Sequence, residues 1–185
     1  MFTIQMILLL VGSIGLLLVS RASLRNPSSH GFYRFFAWEA ILLLFVSVLP
    51  AWFVDPGSWN QVISWILLVL SIIPLGWGVF LLKRLGKPVG TRGNEDTLMS
   101  FERTTRLVTT GIFRFIRHPL YASLLILAWG LFFKMPSWLG FALALAASAF
   151  LHRTAVADER ECLRFFGEEY ADYCRRTKRF IPFMY

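Results

Sequence analysis

Two short clusters hold most of the residues that could do chemistry. Arg117-His118-Pro119-Leu120-Tyr121 places a guanidinium and an imidazole directly before a proline that opens an apolar run. Proline suits the first turn of a helix, where its missing N–H would be unpaired in any case. Arg117 and His118 then stand at a helix mouth, and the free N–H groups there make an anion-receiving corner. The competing reading is plain topology, an arginine at a helix end and a histidine at an interface. The second cluster, Ala157-Asp158-Glu159-Arg160-Glu161, sets three acids against the basic trend of its surroundings. These carboxylates could hold an amine-bearing ligand or ribose hydroxyls. Alternatively they pair with Arg153, Arg160 and Arg164 on a solvated helix, where each pair stabilises by about 0.2–0.5 kcal/mol.

Weaker signals surround these two. Leu75-Gly76-Trp77-Gly78 lies in an uncharged apolar run, where small residues permit close helix packing or leave room for a ligand. Glu39 is an acid about one turn into another apolar run, and an intramembrane acid is by default a functional hypothesis. His30 and His152 show no metal-ligand spacing, and Cys162 and Cys174 are 12 apart without histidine support, so no metal is expected. The chain has no Walker loop, no Rossmann glycine fingerprint and no nucleophile elbow.

The elements that must position these clusters follow from hydropathy. Of 185 residues, 56% are hydrophobic and only 16% charged, which is too apolar for a soluble domain of this size. Its 18 Phe, 7 Trp and 5 Tyr exclude disorder, and two cysteines exclude a disulfide scaffold. Thr3–Val19, Phe35–Val54 and Gln61–Leu82 are long enough, or nearly so, to cross a bilayer. Thr3–Val19 lacks the basic n-region and small-residue cleavage site of a signal peptide, so it reads as a span. Leu120–Phe133 and Ser137–Leu151, parted by Lys134-Met135-Pro136, read as a helical hairpin. Both are short for spans, so flanking residues should extend them or the bilayer thin locally. The expectation is an all-α integral membrane protein with about five transmembrane helices and a cytoplasmic, amphipathic C-terminal helix.

Charge orients this arrangement. Every one of the 19 basic residues except Lys134, Arg92 included, falls between spans one and two, between spans three and four, or after span five. The positive-inside rule makes that side cytoplasmic, with the N-terminus outside and the tail inside. The net charge of +8 is thereby explained by the bilayer and needs no nucleic acid. Function should sit in the polar segments 83–118 and 152–185 of one domain, 1–185, with 1–82 forming the first three spans. In the tail, Leu163, Phe166, Tyr170 and Tyr173 form an apolar stripe, and Gly167 marks a bend. That helix should lie on the membrane surface or fold over the loops above the spans.

Several motifs occur in a telling order. Leu107-Val108-Thr109-Thr110-Gly111-Ile112-Phe113-Arg114, then Arg117-His118-Pro119-Leu120-Tyr121, a hairpin, and Asp158-Glu159 come first. Phe166-Gly167-Glu168-Glu169-Tyr170, Tyr173, Arg179 and Ile181-Pro182 complete the series. This order resembles the C-terminal catalytic region of isoprenylcysteine carboxyl methyltransferases and related membrane phospholipid methyltransferases. The resemblance implies S-adenosylmethionine as cofactor, bound without a Rossmann domain between the loop, the hairpin and the tail. It implies cofactor contacts from Thr105, Arg106, Leu107, Val108, Phe113, His118, Pro119, Leu120, Tyr121, Asp158 and Glu159. Gly76 and Gly78 match a Gly-x-Gly assigned to the same cofactor in the phosphatidylethanolamine enzymes. Arg117, His118, Arg153 and Glu159 are the catalytic candidates, with the two arginines orienting an anionic group. The implied substrate is a membrane lipid or lipidated small molecule. The chain departs from the family at Asp158, where a glutamate is usual, at Phe113, which replaces a tyrosine, and at Thr154, in the place of an arginine. The alternatives are an NADPH-dependent membrane reductase of the sterol type and a non-catalytic membrane subunit with the same fold.

Overall fold

A computed structural model describes residues 2–90 and 98–182, so Arg92 lies outside the described residues. The protein is an all-α integral membrane protein. Its elements are α1 (Phe2–Leu24), α2 (His30–Val48), α3 (Trp59–Leu85), α4 (Pro119–Lys134), α5 (Trp138–Phe166) and α6 (Glu168–Arg176). Among the described residues four helices are long and apolar enough to span, namely Phe2–Leu24, His30–Ala51 with its 3-10 extension, Trp59–Leu85 and Trp138–Phe166, and Pro119–Lys134 is a shorter apolar helix. Among the described residues no strand forms, and only two isolated bridges occur, Pro88 with Thr104 and Ile116 with Lys178.

Local sequence sets the helix ends. Ser29 and Ser137 cap α2 and α5, each accepting a backbone N–H from the first turn. Pro119 occupies the first turn of α4, as the missing N–H of proline favours. Gly167, at φ +57°, ends α5 and starts α6. The apolar stripe of the tail is therefore broken, with Leu163 and Phe166 on α5 and Tyr170 and Tyr173 on α6. The left-handed turn at Gly167 folds α6 back over the loops, since L side chains avoid that conformation.

The core is a layer of α2, α4 and α5 around Leu44, Ala128, Leu131, Ala144 and Ala147. Small residues bring the backbones close, because lipid supplies no hydrophobic drive between helices and packing must do the work. Along α3, Ser64 donates to the Gly130 carbonyl at 2.7 Å, joining it to α4. Lys134 is buried at the far end of α4. It donates to Gln61 Oε1 at 2.8 Å and lies 3.5 Å from the centre of the Trp65 ring. Its charge is satisfied inside the protein and not in the connecting loop. α1 is the outlying helix, exposing a long apolar face to lipid. Gln5 on Val46 O and Ser13 on Glu39 Oε2 tie it to α2, which gives Glu39 a place between two helices.

The two glycines of α3 differ in surroundings. A Cβ at Gly78 would come within 2.7 Å of Leu120 and 3.2 Å of Pro119, whereas one at Gly76 would meet nothing within 4 Å. Gly78→Val should therefore lower stability by about 1–3 kcal/mol through overpacking, while Gly76→Val should change it by less than about 0.5 kcal/mol. Thermal midpoints in detergent check this, and equal midpoints for the two variants would rule out close α3–α4 packing at Gly78.

Candidate active site

The end of the bundle where α4 begins and α5 finishes carries the polar residues. At about 1.5 Å per residue, α4 covers roughly 24 Å and α5 roughly 43 Å, against a hydrocarbon core of about 30 Å. α5 therefore runs on beyond the mouth of α4, carrying Asp158, Glu159 and Glu161 past it. A cavity of about 110 Å³ lies between them. Leu107, Val108, Phe113 and Leu120 give it an apolar side, and Phe166, Tyr170 and Tyr173 close it from the tail. Glu102, Arg117, His118, Asp158 and Glu161 are its charged lining.

Glu159 braces this end from behind the wall. Its carboxylate accepts from Arg117 Nε at 3.0 Å and His118 Nε2 at 3.2 Å. Arg179 adds a two-pronged contact, Nε at 3.0 Å and Nη2 at 2.8 Å. Arg117 also donates to the carbonyls of Cys174 and Thr177. The backbone N–H groups of Arg117 and His118 donate to Lys178 O and Arg179 O, at 2.7 and 3.2 Å. Tyr173 Oη donates to Phe113 O at 2.6 Å. The tail is thus sewn to the 113–118 segment, and one carboxylate collects three cationic side chains.

His118 lies between two acids, with Nδ1 3.4 Å from Asp158 Oδ2 and Nε2 facing Glu159. Its ring stacks on Tyr121 at 5.3 Å between centroids. Burial pushes the imidazole pKa down, but the bonds to Asp158 and Glu159 outweigh it and hold the pKa above its ordinary value. Both ring nitrogens of His118 thus face carboxylates.

A second polar cluster lies deeper. Glu161 accepts from the His30 backbone N–H at 2.8 Å and from His30 Nδ1 at 2.6 Å. Glu102 accepts on both oxygens from Arg34 Nη1 at 2.8 Å, and from Met99 N at 2.9 Å. Burial would raise the Glu102 carboxyl pKa, yet Arg34 and His30 hold it well below the usual carboxylate range. The structure also brings His30, Asp158 and Glu161 close enough to share a metal ion, which the sequence spacing gave no reason to expect. His30 already engages Glu161 there at two points.

The cavity wall gathers Leu107, Val108, Phe113, Arg117, His118, Pro119, Leu120, Tyr121 and Asp158 from the expected site. Other expected residues stand elsewhere. Thr105 and Arg106 are exposed and bind their backbone N–H groups to Gly86 O. Arg153 is exposed on α5, and Glu159 turns to its arginines. Gly76 faces open space, and Gly78 packs on Pro119 and Leu120 from outside. Glu102, Glu161, Tyr170 and Tyr173 line the cavity although they were not singled out for it. The i, i+3 spacing of Asp158 and Glu161 was the available signal, since it puts both on one helix face and Glu159 about 100° away.

Comparison with known proteins fits this geometry. A sequence model of the family described as phospholipid methyltransferase matches residues 59–169. That stretch carries α3, α4, α5 and most of the cavity wall, and the chain belongs to this family. It is 28% identical over 145 residues to protein-S-isoprenylcysteine O-methyltransferase of Homo sapiens, covering 75% of this chain and 51% of that protein. It is 29% identical over 135 residues to a nickel-cobalt-cadmium resistance protein of Alcaligenes xylosoxydans xylosoxydans, covering 68% and 63%. Over 83 residues it is 34% identical to Delta(14)-sterol reductase of Mus musculus, covering 43% of this chain and 20% of that protein. The chain thus spans between one fifth and about two thirds of these relatives. No solved structure matches.

Replacing Glu159 tests the brace. Glu159→Gln removes the charge shared by Arg117, His118 and Arg179, and bonds to charged groups contribute about 1.5–3 kcal/mol each. Trypsin cleavage after Arg175, Arg176, Lys178 and Arg179 should accelerate about tenfold or more as the tail opens. An unchanged cleavage rate would show that the tail is held without this carboxylate.

Proposed function

We propose that this protein transfers a methyl group from S-adenosylmethionine to a membrane-embedded amphiphile at the cytoplasmic face, with its N-terminus outside and its C-terminus inside. The observation carrying this reading is the single cavity that joins the His118–Tyr121 segment to Asp158, within the stretch matched by the methyltransferase family. Its make-up suits the cofactor. An apolar side can take an adenine ring, and carboxylates can take an amine. When bound, the cofactor supplies a methyl on a sulfonium, which is already activated and needs no protein nucleophile or metal.

The residues of the chain then have defined tasks. Leu107, Val108, Phe113 and Leu120 exclude water from one side of the cavity, and Tyr121 backs His118. Closure by α6 through Tyr170 and Tyr173 keeps the reacting atoms dry, which such a displacement requires. Arg117 and His118 are the cationic groups at the wall and orient an anionic group of acceptor or cofactor. Arg153 and Glu159 lie off the wall, so Arg153 would act on a lipid headgroup near the mouth and Glu159 through the residues it holds.

Proton balance separates the two acceptor classes. An amine acceptor must surrender a proton to a base. His118 is already engaged by two acids, and Glu39 is turned to Ser13 of α1, away from the cavity wall, which leaves Glu102, Asp158 and Glu161 as the wall groups able to take that proton. A carboxylate acceptor needs no base, only desolvation beside a cation. The acceptor is therefore either an amphiphilic carboxylate, which needs no base, or an amine whose proton passes to a carboxylate of the wall. The likeness to a sterol reductase keeps NADPH as the competing ligand.

Calorimetry on purified protein should show binding of S-adenosylhomocysteine and none of NADPH. NADPH binding alone would overturn the methyltransferase reading in favour of a reductase, and binding of neither would favour a non-catalytic subunit. Incubation with methyl-labelled cofactor and a total membrane lipid extract should give a labelled product, which releases labelled methanol in mild alkali if the acceptor is a carboxylate. An alkali-stable label would exclude the carboxylate acceptor. His118→Ala should lower turnover about 10²-fold, the usual cost of one lost electrostatic donor, and full activity would remove His118 from the mechanism.

A further inference from the structure

We propose that His30, the first residue of α2, is a positioning residue for the carboxylate end of the cavity, and that this end receives the amino group of the methyl donor. The proposal rests on the methyl-donor reading above and names which part of that ligand meets which wall.

His30 is fully buried and lies outside the stretch matched by the family, which begins at residue 59. It grips Glu161 at two points, its backbone N–H on one carboxylate oxygen at 2.8 Å and Nδ1 on the other at 2.6 Å. A two-point grip fixes the plane of a carboxylate as well as its place. Its other ring nitrogen, Nε2, makes no hydrogen bond and lies 3.9 Å from Glu102 Oε2. One turn further along α2, Arg34 holds Glu102 through both of its oxygens. α2 thus sets the aim of two cavity-lining acids that come from different parts of the chain.

The ligand chemistry follows from what those acids have left to give. An ionised carboxylate offers about four lone-pair sites, and an ammonium presents three donors and no acceptor. On Glu161, His30 takes one site per oxygen from behind, leaving the others for the cavity the residue lines. Asp158 lines the same cavity, and its carboxylate lies within 4.8 Å of the ligating atoms of His30 and Glu161. Two acids of fixed orientation with Asp158 in the same cavity suit a compact primary ammonium. They do not suit an adenine ring, which the opposing apolar residues accommodate.

Two ligands separate positioning from mere folding. S-adenosylhomocysteine carries the amino group, and 5′-methylthioadenosine has the same nucleoside without it. In full-length protein, His30→Leu should weaken S-adenosylhomocysteine about tenfold, since a hydrogen bond to a charged group is lost, and leave 5′-methylthioadenosine within about twofold. His30→Asn, which keeps a donor near the place of Nδ1, should restore S-adenosylhomocysteine to within about threefold of wild type. Equal weakening of both ligands would overturn the proposal in favour of a packing role, and no weakening of either would overturn it outright. If His30→Leu fails to fold, His30→Asn is compared with His30→Gln, whose donor reaches the Nε2 place instead. Asparagine should bind S-adenosylhomocysteine the more tightly, and equal affinities would overturn the proposal. Wild-type protein that binds neither ligand would remove the methyl-donor reading itself, an outcome distinct from a failure at His30.

Discussion

Burying a charge costs several kcal/mol unless a partner and good hydrogen bonds accompany it, and this constraint organises the polar end of the bundle. Glu102, Glu159 and Glu161 are each closed off from solvent or nearly so, and each is met by a cation or a histidine from a distant part of the chain. Glu161 reaches His30 across 131 residues of sequence, Glu102 reaches Arg34 across 68, and Glu159 reaches Arg117 across 42. Inside a bilayer the apolar faces of helices have little preference for one another over lipid. Charge pairs of this kind therefore do more than neutralise. They specify which helix ends meet, and they do so at the end where the site cavity forms.

Helix length supplies the cavity itself. α4 starts at Pro119 and α5 continues to Phe166, so the longer helix stands beside an opening that the shorter one leaves below it. The residue before Pro119 is disfavoured from helical geometry, which keeps His118 at the cap and out of the helix. Gly167 then reverses the chain so that α6 roofs the space. The wall residues come from α3, α4, α5, α6 and the loop before α4.

Those local features were legible in the sequence, and the tertiary ones were not. Apolar run length marked the spans, Pro119 marked the mouth of α4, and Gly167 marked the bend. Period alone merged the stripe from Leu163 to Tyr173 into one helix, because periodicity is blind to a left-handed glycine until that glycine is weighed as a stop. Lys134 read as a loop charge because nothing local announces the Gln61 and Trp65 that surround it. His30 and Glu102 were silent for the same reason, since each matters only through a partner far away in the chain. Glu159 stood out as one of an acidic pair, yet adjacent helical residues point about 100° apart. Only Asp158 could share the cavity face with Glu161.

That divergence at adjacent positions separates two kinds of carboxylate on one helix. Glu159 already has contacts of 2.8 to 3.2 Å from three cationic side chains, so it has little to offer a ligand and much to offer the tail. The contacts of Asp158 are longer, 3.4 Å to His118 and 3.6 Å from the Cys162 thiol, and it lines the cavity. A partly buried acid with only long contacts gains most from a cation that arrives with a ligand, because part of its desolvation cost was already met in folding. The same helix turn thus carries a brace that must stay closed and an acceptor that is most stable when filled. Ligand binding and tail docking would then reinforce each other through His118, whose two nitrogens touch both.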